Sequence, residues 1–176
     1  MENSPESDPE LKLFRHTLAT LAYRTGKAVR EAPENFAEFR GCEGLRTPGQ
    51  ILAHMGDLFD WALSIAKGKQ VWNNSTLLPW DKESERFFAS LLAFDDFLAS
   101  GGAPNAALDK LFQGPVADAL THAGQLAMLR RLAGAAIKGE NYHKAEITVG
   151  RGGRRTGAIE SGILSAHGTG EIVRLR

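Results

Sequence analysis

The chain has 176 residues, of which 43% are hydrophobic and 24% are charged. Lys plus Arg and Asp plus Glu each number 21, so the formal net charge is zero. This composition predicts one soluble globular domain, and the balanced charge excludes a global electrostatic attraction to nucleic acid or acidic membranes. The single cysteine, Cys42, excludes an intrachain disulfide and fits a reducing compartment.

The N-terminal residues 1–10 are polar and acidic, and they lack the basic start and apolar run of a signal peptide. No stretch of the sequence approaches the ~20 apolar residues that span a bilayer. We therefore expect a cytoplasmic protein without a membrane partner.

Two amphipathic helices are predicted in the N-terminal part, over residues 11–30 and 48–67, because apolar residues recur there at spacings of three and four. The second begins with the clearest start signal in the sequence. Thr47 can cap the helix, a proline follows at the first helical position, and Gln50 can complete a capping box.

His54 lies inside the apolar stripe of the second helix, one turn before Leu58. A buried imidazole loses the water around its ring nitrogens, so it needs partners. A backbone carbonyl, a buried carboxylate or a metal ion would each supply one. Asp57 and Asp60 of the same helix are assigned to the opposite, solvated side.

A loop is predicted over residues 69–82. It carries Trp72 and Trp80, which either close one end of the core or line a ligand pocket. Asp81 is predicted to cap a third helix that ends near residue 99. The buried face of this helix is predicted at helical spacing: Phe87, Leu91, Phe94 and Leu98.

Asn105 is predicted to cap a short helix, and Pro115 to open a longer one that ends near Ala133. The positive charge of Arg130 in its last turn suits the helix dipole. The residues that this helix is expected to bury are Val116, Leu120, Ala123 and Ala127.

Four amphipathic helices without strand pairs predict an all-α protein, an antiparallel four-helix bundle with a short extra helix. We expect this domain to cover residues 1–149. Residues 150–176 are rich in glycine and arginine and show no convincing buried face, so we expect a loosely ordered tail. A solvated tail is favoured over one that binds nucleic acid.

Asp118 and His122 lie one helical turn apart on the same helix face, with Gln125 one step further along. A carboxylate and an imidazole at this spacing can bind a divalent metal ion if another helix supplies a third ligand. His54 is the candidate, so the sequence predicts a site of His54, Asp118 and His122. Such a ligand set leaves a position for water or substrate, which is typical of a catalytic site.

A metal-free interpretation of the same residues is also open. Asp118 could hold His54 or His122 by a charge-assisted hydrogen bond in a non-catalytic binding or dimerisation module. Gln125 would orient a ligand or act as a structural hydrogen-bonding residue. Further candidates for contacts to the site or to substrate are Trp61, Trp72 and Trp80.

Two segments resemble the DinB-like superfamily of helical bundles, which includes the YfiT-type proteins. Residues 48–55, Pro-Gly-Gln-Ile-Leu-Ala-His-Met, are similar to the family's second helix with its single histidine. Residues 118–126, Asp-Ala-Leu-Thr-His-Ala-Gly-Gln-Leu, are similar to its H-x-x-x-H-R-G-Q signature. The resemblance spans roughly residues 10–148.

In that family, three histidines bind a divalent metal, often nickel or zinc, inside an up-down-down-up bundle that commonly dimerises. The resemblance implies that His54, Asp118 and His122 are the ligands and that this chain forms a homodimer. Asp118 replaces a family histidine, which favours a harder metal and admits iron or manganese. Ala123 replaces the family arginine, which removes a positive charge.

Family members with assigned activity are metal-dependent enzymes that act with low-molecular-weight thiols (bacillithiol, mycothiol or glutathione), including S-transferases and a maleylpyruvate isomerase. The resemblance therefore implies a metal-dependent thiol S-transferase or related hydrolase with a small-molecule substrate. Membership of a fold says little about substrate, so an enzyme and a binding module both stay open.

Overall fold

A computed structural model of the protein describes residues 8–150, and this part of the chain is all-helical, without strands. Four long helices are joined by loops and short helical turns, which confirms the all-α prediction. None of the helices in this range has the length and apolar character that a membrane span requires. The predicted tail beyond residue 150 lies outside the described residues.

The long helices enclose one apolar core. They are α1 (Pro9–Val29), α2 (Pro48–Ala66), α3 (Trp80–Ala99) and α5 (Ala117–Leu132), with a short α4 (Leu108–Leu111) before α5. Helix α2 packs on α3 and α5, and α1 packs on the same two helices, so the order around the core is α1, α3, α2, α5. The predicted inner face of α3 is confirmed. The large, fully buried side chains at the centre include Leu18, Leu21, Leu52, Met55, Phe59, Phe87, Phe94 and Leu126.

The start of α2 confirms the predicted capping box. The N–H of Gln50 donates to Thr47 Oγ1 at 3.3 Å, and the N–H of Thr47 donates to Gln50 Oε1 at 2.9 Å. These bonds satisfy donors that the first helical turn otherwise leaves free. Two other starts differ from prediction, since Asp8 caps α1 and α3 begins at Trp80, which places Asp81 inside its first turn.

Asn105 does not cap the short helix as predicted. Its N–H and its Nδ2 donate to the carbonyl of Ala66, at 2.9 and 3.2 Å, and thereby satisfy the C-terminal end of α2. Pro115 does not open a new helix either. It lies inside a π-helical turn, Phe112–Val116, that connects α4 to α5 without a break. The wider π turn accommodates a proline, which lacks an N–H and clashes with the preceding turn of an α-helix.

The buried face of α5 agrees in part with the prediction. Val116 and Ala123 are buried as predicted, and α-helical spacing from Val116 also reaches the buried Ala119 and Leu126. Leu120 and Ala127, predicted to be buried, are half-buried. The residues that α5 does bury are Ala119, His122, Ala123, Leu126, Leu129 and Arg130.

Arg130 is buried and serves two helix ends. Its guanidinium donates to the carbonyls of Ala28 and Arg30, both at 2.9 Å, at the end of α1. It also donates to the carbonyl of Ala135, at 3.1 Å, just after α5. Carbonyls at helix C-termini lack partners within the helix, so this side chain joins α1 to α5 through their ends.

A buried charge cluster joins α2, α3 and the loop between them. Arg86 donates to Asp57 Oδ1 at 2.9 Å and to Glu83 Oε2 at 3.0 Å. The second oxygen of each carboxylate accepts a backbone N–H of the loop, from Ser75 at 3.3 Å and from Leu78 at 2.8 Å. The assignment of Asp57 to the solvated side is therefore wrong, because its partner comes from another helix.

The loop over residues 69–79, here called the α2 strap, lies along the surface of α2. The N–H of Val71 donates to Ser64 Oγ at 3.0 Å, and the carbonyls of Trp61 and Val71 lie 2.8 and 3.1 Å from the same hydroxyl, which can donate its one proton to either. Further along the strap, Ser75 is held by Asp57, about two turns earlier in α2. The strap therefore runs back towards the start of the helix.

The segment after α5 returns to α1 through a polar cluster. Tyr23 Oη donates to Glu140 Oε1 at 2.6 Å, and Lys27 pairs with the same carboxylate. The ring of Tyr142 meets that of Tyr23 edge-on, with 6.4 Å between ring centroids. The hydrogen bond to Glu140, with burial and the charge of the carboxylate, raises the pKa of Tyr23 to about 12.

The raised pKa of Tyr23 can be measured in Tyr142→Phe protein, where Tyr23 is the remaining one of the chain's 2 tyrosines. We expect its phenolate absorbance to appear near the pKa of about 12 rather than at the ordinary 10.0. The contact then stabilises the fold fully below the ordinary pKa and is lost as the pH rises through the folded value. Glu140→Gln should lower the pKa. An unchanged pKa in that variant would contradict the assignment.

Thr25 is fully buried in α1, and its Oγ1 has no hydrogen-bond partner among the described residues. Valine has the same shape without the hydroxyl, so Thr25→Val should raise the free energy of unfolding by about 1 kcal/mol. Denaturant titration measures this change. Thr20→Val is the control, since Thr20 donates to the carbonyl of His16 and its replacement should give no such gain. A less stable Thr25→Val protein would contradict an unpartnered hydroxyl.

Candidate metal centre

His54, Asp118 and His122 come together between α2 and α5. Each offers one ligand atom, and the three atoms lie within 4.8 Å of one another. Asp118 Oδ2 lies 3.4 Å from His54 Nε2, and its Oδ1 lies 3.4 Å from His122 Nε2. The fold therefore brings to one point the three residues singled out from the sequence, as a group that could hold a metal ion.

The solvent exposure of the three side chains increases from His122 to His54 to Asp118. The side chain of His122 is 10% exposed, that of His54 is 21% exposed, and that of Asp118 is 45% exposed. Asp118 is the second residue of α5, directly after the π turn. The two imidazoles are therefore held by the core, whereas the carboxylate faces the solvent, from which a small molecule can approach.

The spacing suits metal ligands better than a hydrogen-bonded network. Charge-assisted N–H···O bonds are about 2.7–2.9 Å long, whereas both nitrogen–oxygen separations here are 3.4 Å. Ligand atoms about 2.0–2.1 Å from a tetrahedral Zn²⁺ lie about 3.3–3.4 Å apart. Each of the two separations, one from each carboxylate oxygen, is close to this length, and one ligand atom from each of the three residues lies within 4.8 Å of the others.

Gln125 determines which nitrogen of His122 carries the proton. Gln125 Oε1 lies 2.7 Å from His122 Nδ1, and an amide oxygen can only accept, so Nδ1 is the protonated nitrogen. The lone pair of Nε2 then points towards Asp118. Such an outer hydrogen bond orients a metal-binding histidine and increases its basicity. Gln125 therefore acts on the site through His122.

The electrostatic surroundings of His54 favour a neutral ring. Burial lowers its pKa below the ordinary value, and the positive charge of Arg46 lowers it further, against the opposing effect of the hydrogen bond to Asp118. A neutral imidazole is the form that binds metal. His54 is therefore ready to bind an ion at neutral pH.

Trp72 and Trp61 extend the site as a row of edge-to-face rings. The centroid separations are 4.9 Å from His122 to His54, 5.6 Å from His54 to Trp72, and 5.6 Å from Trp72 to Trp61. Trp72 belongs to the α2 strap, and Trp61 on α2 reaches Gly114 in the π turn. The row therefore connects the strap and the π turn with the two imidazoles.

Trp80 lies at a different place. Its ring packs edge-on against Phe36, with 5.4 Å between the ring centroids, beside the turn that follows α1. Of the two tryptophans predicted in the loop, Trp72 contacts a predicted ligand and Trp80 closes an end of the core. The structure therefore gives Trp80 no contact with the candidate metal centre.

Two cavities reach the two histidines of the cluster, one cavity at each histidine. One has a volume of about 420 Å³ and is lined by His122, Gln125 and apolar side chains. The other has a volume of about 350 Å³ and is lined by His54, Asp57 and polar residues of the α2 strap. Arg46 lines both. No sequence motif marks Arg46, an exposed residue that lies directly before the cap of α2.

Comparisons of the chain with protein-family models, curated proteins and solved structures found no match in any of the three. The resemblance to the DinB-like superfamily therefore stays a prediction. The geometry of the cluster is the basis on which a function can be inferred.

Gln125→Leu removes the acceptor for His122 Nδ1 and leaves all three ligand side chains in place. We expect it to bind Zn²⁺ or Ni²⁺ about 10–100-fold more weakly, as is typical when such an outer hydrogen bond is lost. Competition with a chromogenic chelator measures the affinity. Gln113→Leu, at an exposed position of the π turn, is the matched control. Equal affinities in the two variants would contradict the role of Gln125.

Proposed function

We propose that this protein is a divalent-metal-dependent enzyme of the DinB-like superfamily, a thiol-dependent S-transferase or related hydrolase. The observation that carries the proposal is the convergence of His54, Asp118 and His122, with Asp118 3.4 Å from both imidazoles. The resemblance of residues 48–55 and 118–126 to the family supports it, as does the all-helical fold of the described residues.

The donor set fits Zn²⁺ or Ni²⁺, and the carboxylate also admits Fe²⁺ or Mn²⁺. When bound, such an ion lowers the pKa of a thiol or water beside it and so supplies a nucleophile near neutral pH. His54 and His122 would hold the ion from the core side, and Gln125 keeps one ring in the required tautomer. The negative charge of Asp118 offsets part of the ion's charge.

The proposed reaction transfers the sulfur of a low-molecular-weight thiol, such as bacillithiol, mycothiol or glutathione, to an electrophilic carbon. A bond forms between sulfur and carbon, and the bond from that carbon to the leaving group breaks. The leaving group departs with the electron pair, and the thiol proton passes to solvent on the exposed side of Asp118. In the hydrolase version, water replaces the thiol. Trp72 of the strap packs edge-on against His54, beside the position where the thiol or water would bind.

The resemblance also implies an antiparallel up-down-down-up order of the helices, a homodimer and a cytoplasmic location, and we include these in the proposal. The exposed, unbridged Cys42 supports a reducing compartment. Light scattering on the purified protein tests the dimer, for which a molar mass of a single chain would be the contrary result.

A non-catalytic binding module is the second candidate, and the contact between His54 Nε2 and Asp118 Oδ2 favours it. A protonated Nε2 would donate to the carboxylate there, and no metal would be needed. In that case the cluster would contribute to folding and to partner binding instead of to chemistry.

The metal hypothesis predicts about one divalent ion per chain of purified full-length protein, measured by elemental analysis. His54→Ala and Asp118→Ala each remove a ligand and should lose most of the ion. Metal-dependent conjugation of a thiol to a chromogenic electrophile should fall more than about tenfold in both, which corresponds to ~1.4 kcal/mol or more of transition-state stabilisation. His16→Ala, at an exposed position of α1, should behave as wild type.

Full metal content in both His54→Ala and Asp118→Ala would show that the ligand set is wrong. Metal-free protein whose melting temperature is unchanged by a chelator would favour the binding module. Protein that binds the metal but catalyses neither thiol conjugation nor hydrolysis would support the metal centre and contradict the enzymatic part of the proposal.

A further inference from the structure

The cavity beside His122 has the size and the wall of a small-molecule site. Its volume of about 420 Å³ falls within the ~300–1,000 Å³ typical of such pockets. His122 and Gln125 form one part of its wall. The rest is mainly aliphatic and comes from α5, the start of α2 and the turn before it: Leu45, Ile51, Met128, Leu129 and Leu132.

Several of these apolar side chains are exposed to solvent. Met128 is 65% exposed, Leu132 is 59% exposed and Leu45 is 46% exposed. Met128 and Leu132 lie one turn apart on α5, on a line that continues from the site residue Gln125. An apolar ligand that fills the cavity would remove this surface from water and gain the usual hydrophobic free energy.

Arg46 is the charged residue of this wall, and its guanidinium has no hydrogen-bond or ion-pair partner among residues 8–150. Other arginines of the bundle are engaged, since Arg86 pairs with Asp57 and Arg130 donates to helix-end carbonyls. A planar guanidinium binds a carboxylate through two parallel hydrogen bonds. Arg46 is therefore available to an anion that enters either cavity.

We propose that this cavity binds a small amphipathic carboxylate. Its apolar body lies against the Met128 and Leu132 wall, and its carboxylate pairs with Arg46. Because His122 lines the same cavity, the body of the bound ligand also lies beside this histidine. We therefore assign this molecule as the electrophilic substrate of the metal centre. The last step rests on the proposed function, whereas the binding itself does not.

The charge of the wall selects among ligand classes. A cation would be repelled by Arg46, and a neutral apolar molecule would gain nothing from the charge of the guanidinium. A polyanion such as a nucleotide would find one positive side chain and a largely aliphatic surface. One carboxylate on an apolar body is the chemistry that satisfies both parts of the wall.

Three probes separate charge from apolar contact, because octanoate, octanamide and octylamine share one chain and differ in charge. Calorimetry on full-length protein at one ionic strength, with and without bound metal, measures their affinities. We expect octanoate to bind at least about tenfold more tightly than octanamide, and octylamine to bind most weakly. In Arg46→Gln the advantage of octanoate should disappear. Arg40→Gln, at another exposed arginine of the same connection, should preserve it.

Met128→Ser tests the apolar wall, and its 65% exposure allows the change without loss of the core. It should weaken octanoate and octanamide by the same factor. Equal binding of the two probes to the wild-type protein would overturn the proposal. A preference for octanoate that persists in Arg46→Gln would also overturn the proposal. If a chelator then abolished this preference, the carboxylate would be bound by the metal instead of by Arg46. The preference for octanoate is also measured without metal, so it can be observed even if the metal hypothesis is wrong. Conversely, the metal content of the protein does not depend on whether the cavity binds a carboxylate.

Discussion

The ionic contacts of Arg86 hold three parts of the molecule in a fixed relation. Asp57 comes from α2 and Glu83 from α3, and each carboxylate also accepts an N–H of the strap. Burying charges is costly, and only a complete set of hydrogen bonds offsets the cost. Gly56 is part of the arrangement, because a Cβ there would lie 2.8 Å from the guanidinium carbon. The strap is thus anchored to the core, and Trp72, which it carries, stays at the candidate metal centre.

The candidate metal centre combines features that are visible in the sequence with one that is not. His54 can be found because it occupies a place where its helix otherwise carries apolar residues. Asp118 and His122 can be found because their spacing puts them on one helix face. Arg46 cannot be found this way, since an exposed arginine in a connection carries no signal. It gains its role when the fold brings two cavities to the same side chain.

In the fold, the features that the sequence predicts depend on residues close together in the chain, and several of those that it misses depend on distant residues. The capping box of Thr47 and Gln50 depends on residues three apart, so the sequence predicts it and the structure confirms it. The burial of Asp57 depends on Arg86, which is 29 positions away, and hydrophobic periodicity assigns it to the wrong side. Pro115 predicts a helix start, because proline suits the first position of a helix. It lies instead inside a π turn, whose wider geometry accommodates a proline.

The number of residues in the turn Phe112–Val116 sets the direction in which α5 presents its side chains. Each residue of an α-helix advances the chain by about 100° around the axis. Removing one residue here would carry Asp118 and His122 together away from His54, although no ligand would have been changed. Deletion of one codon in this turn would thus separate Asp118 and His122 from His54. Relatives of this chain that keep all three residues but differ in length at this turn would be expected to have lost the site.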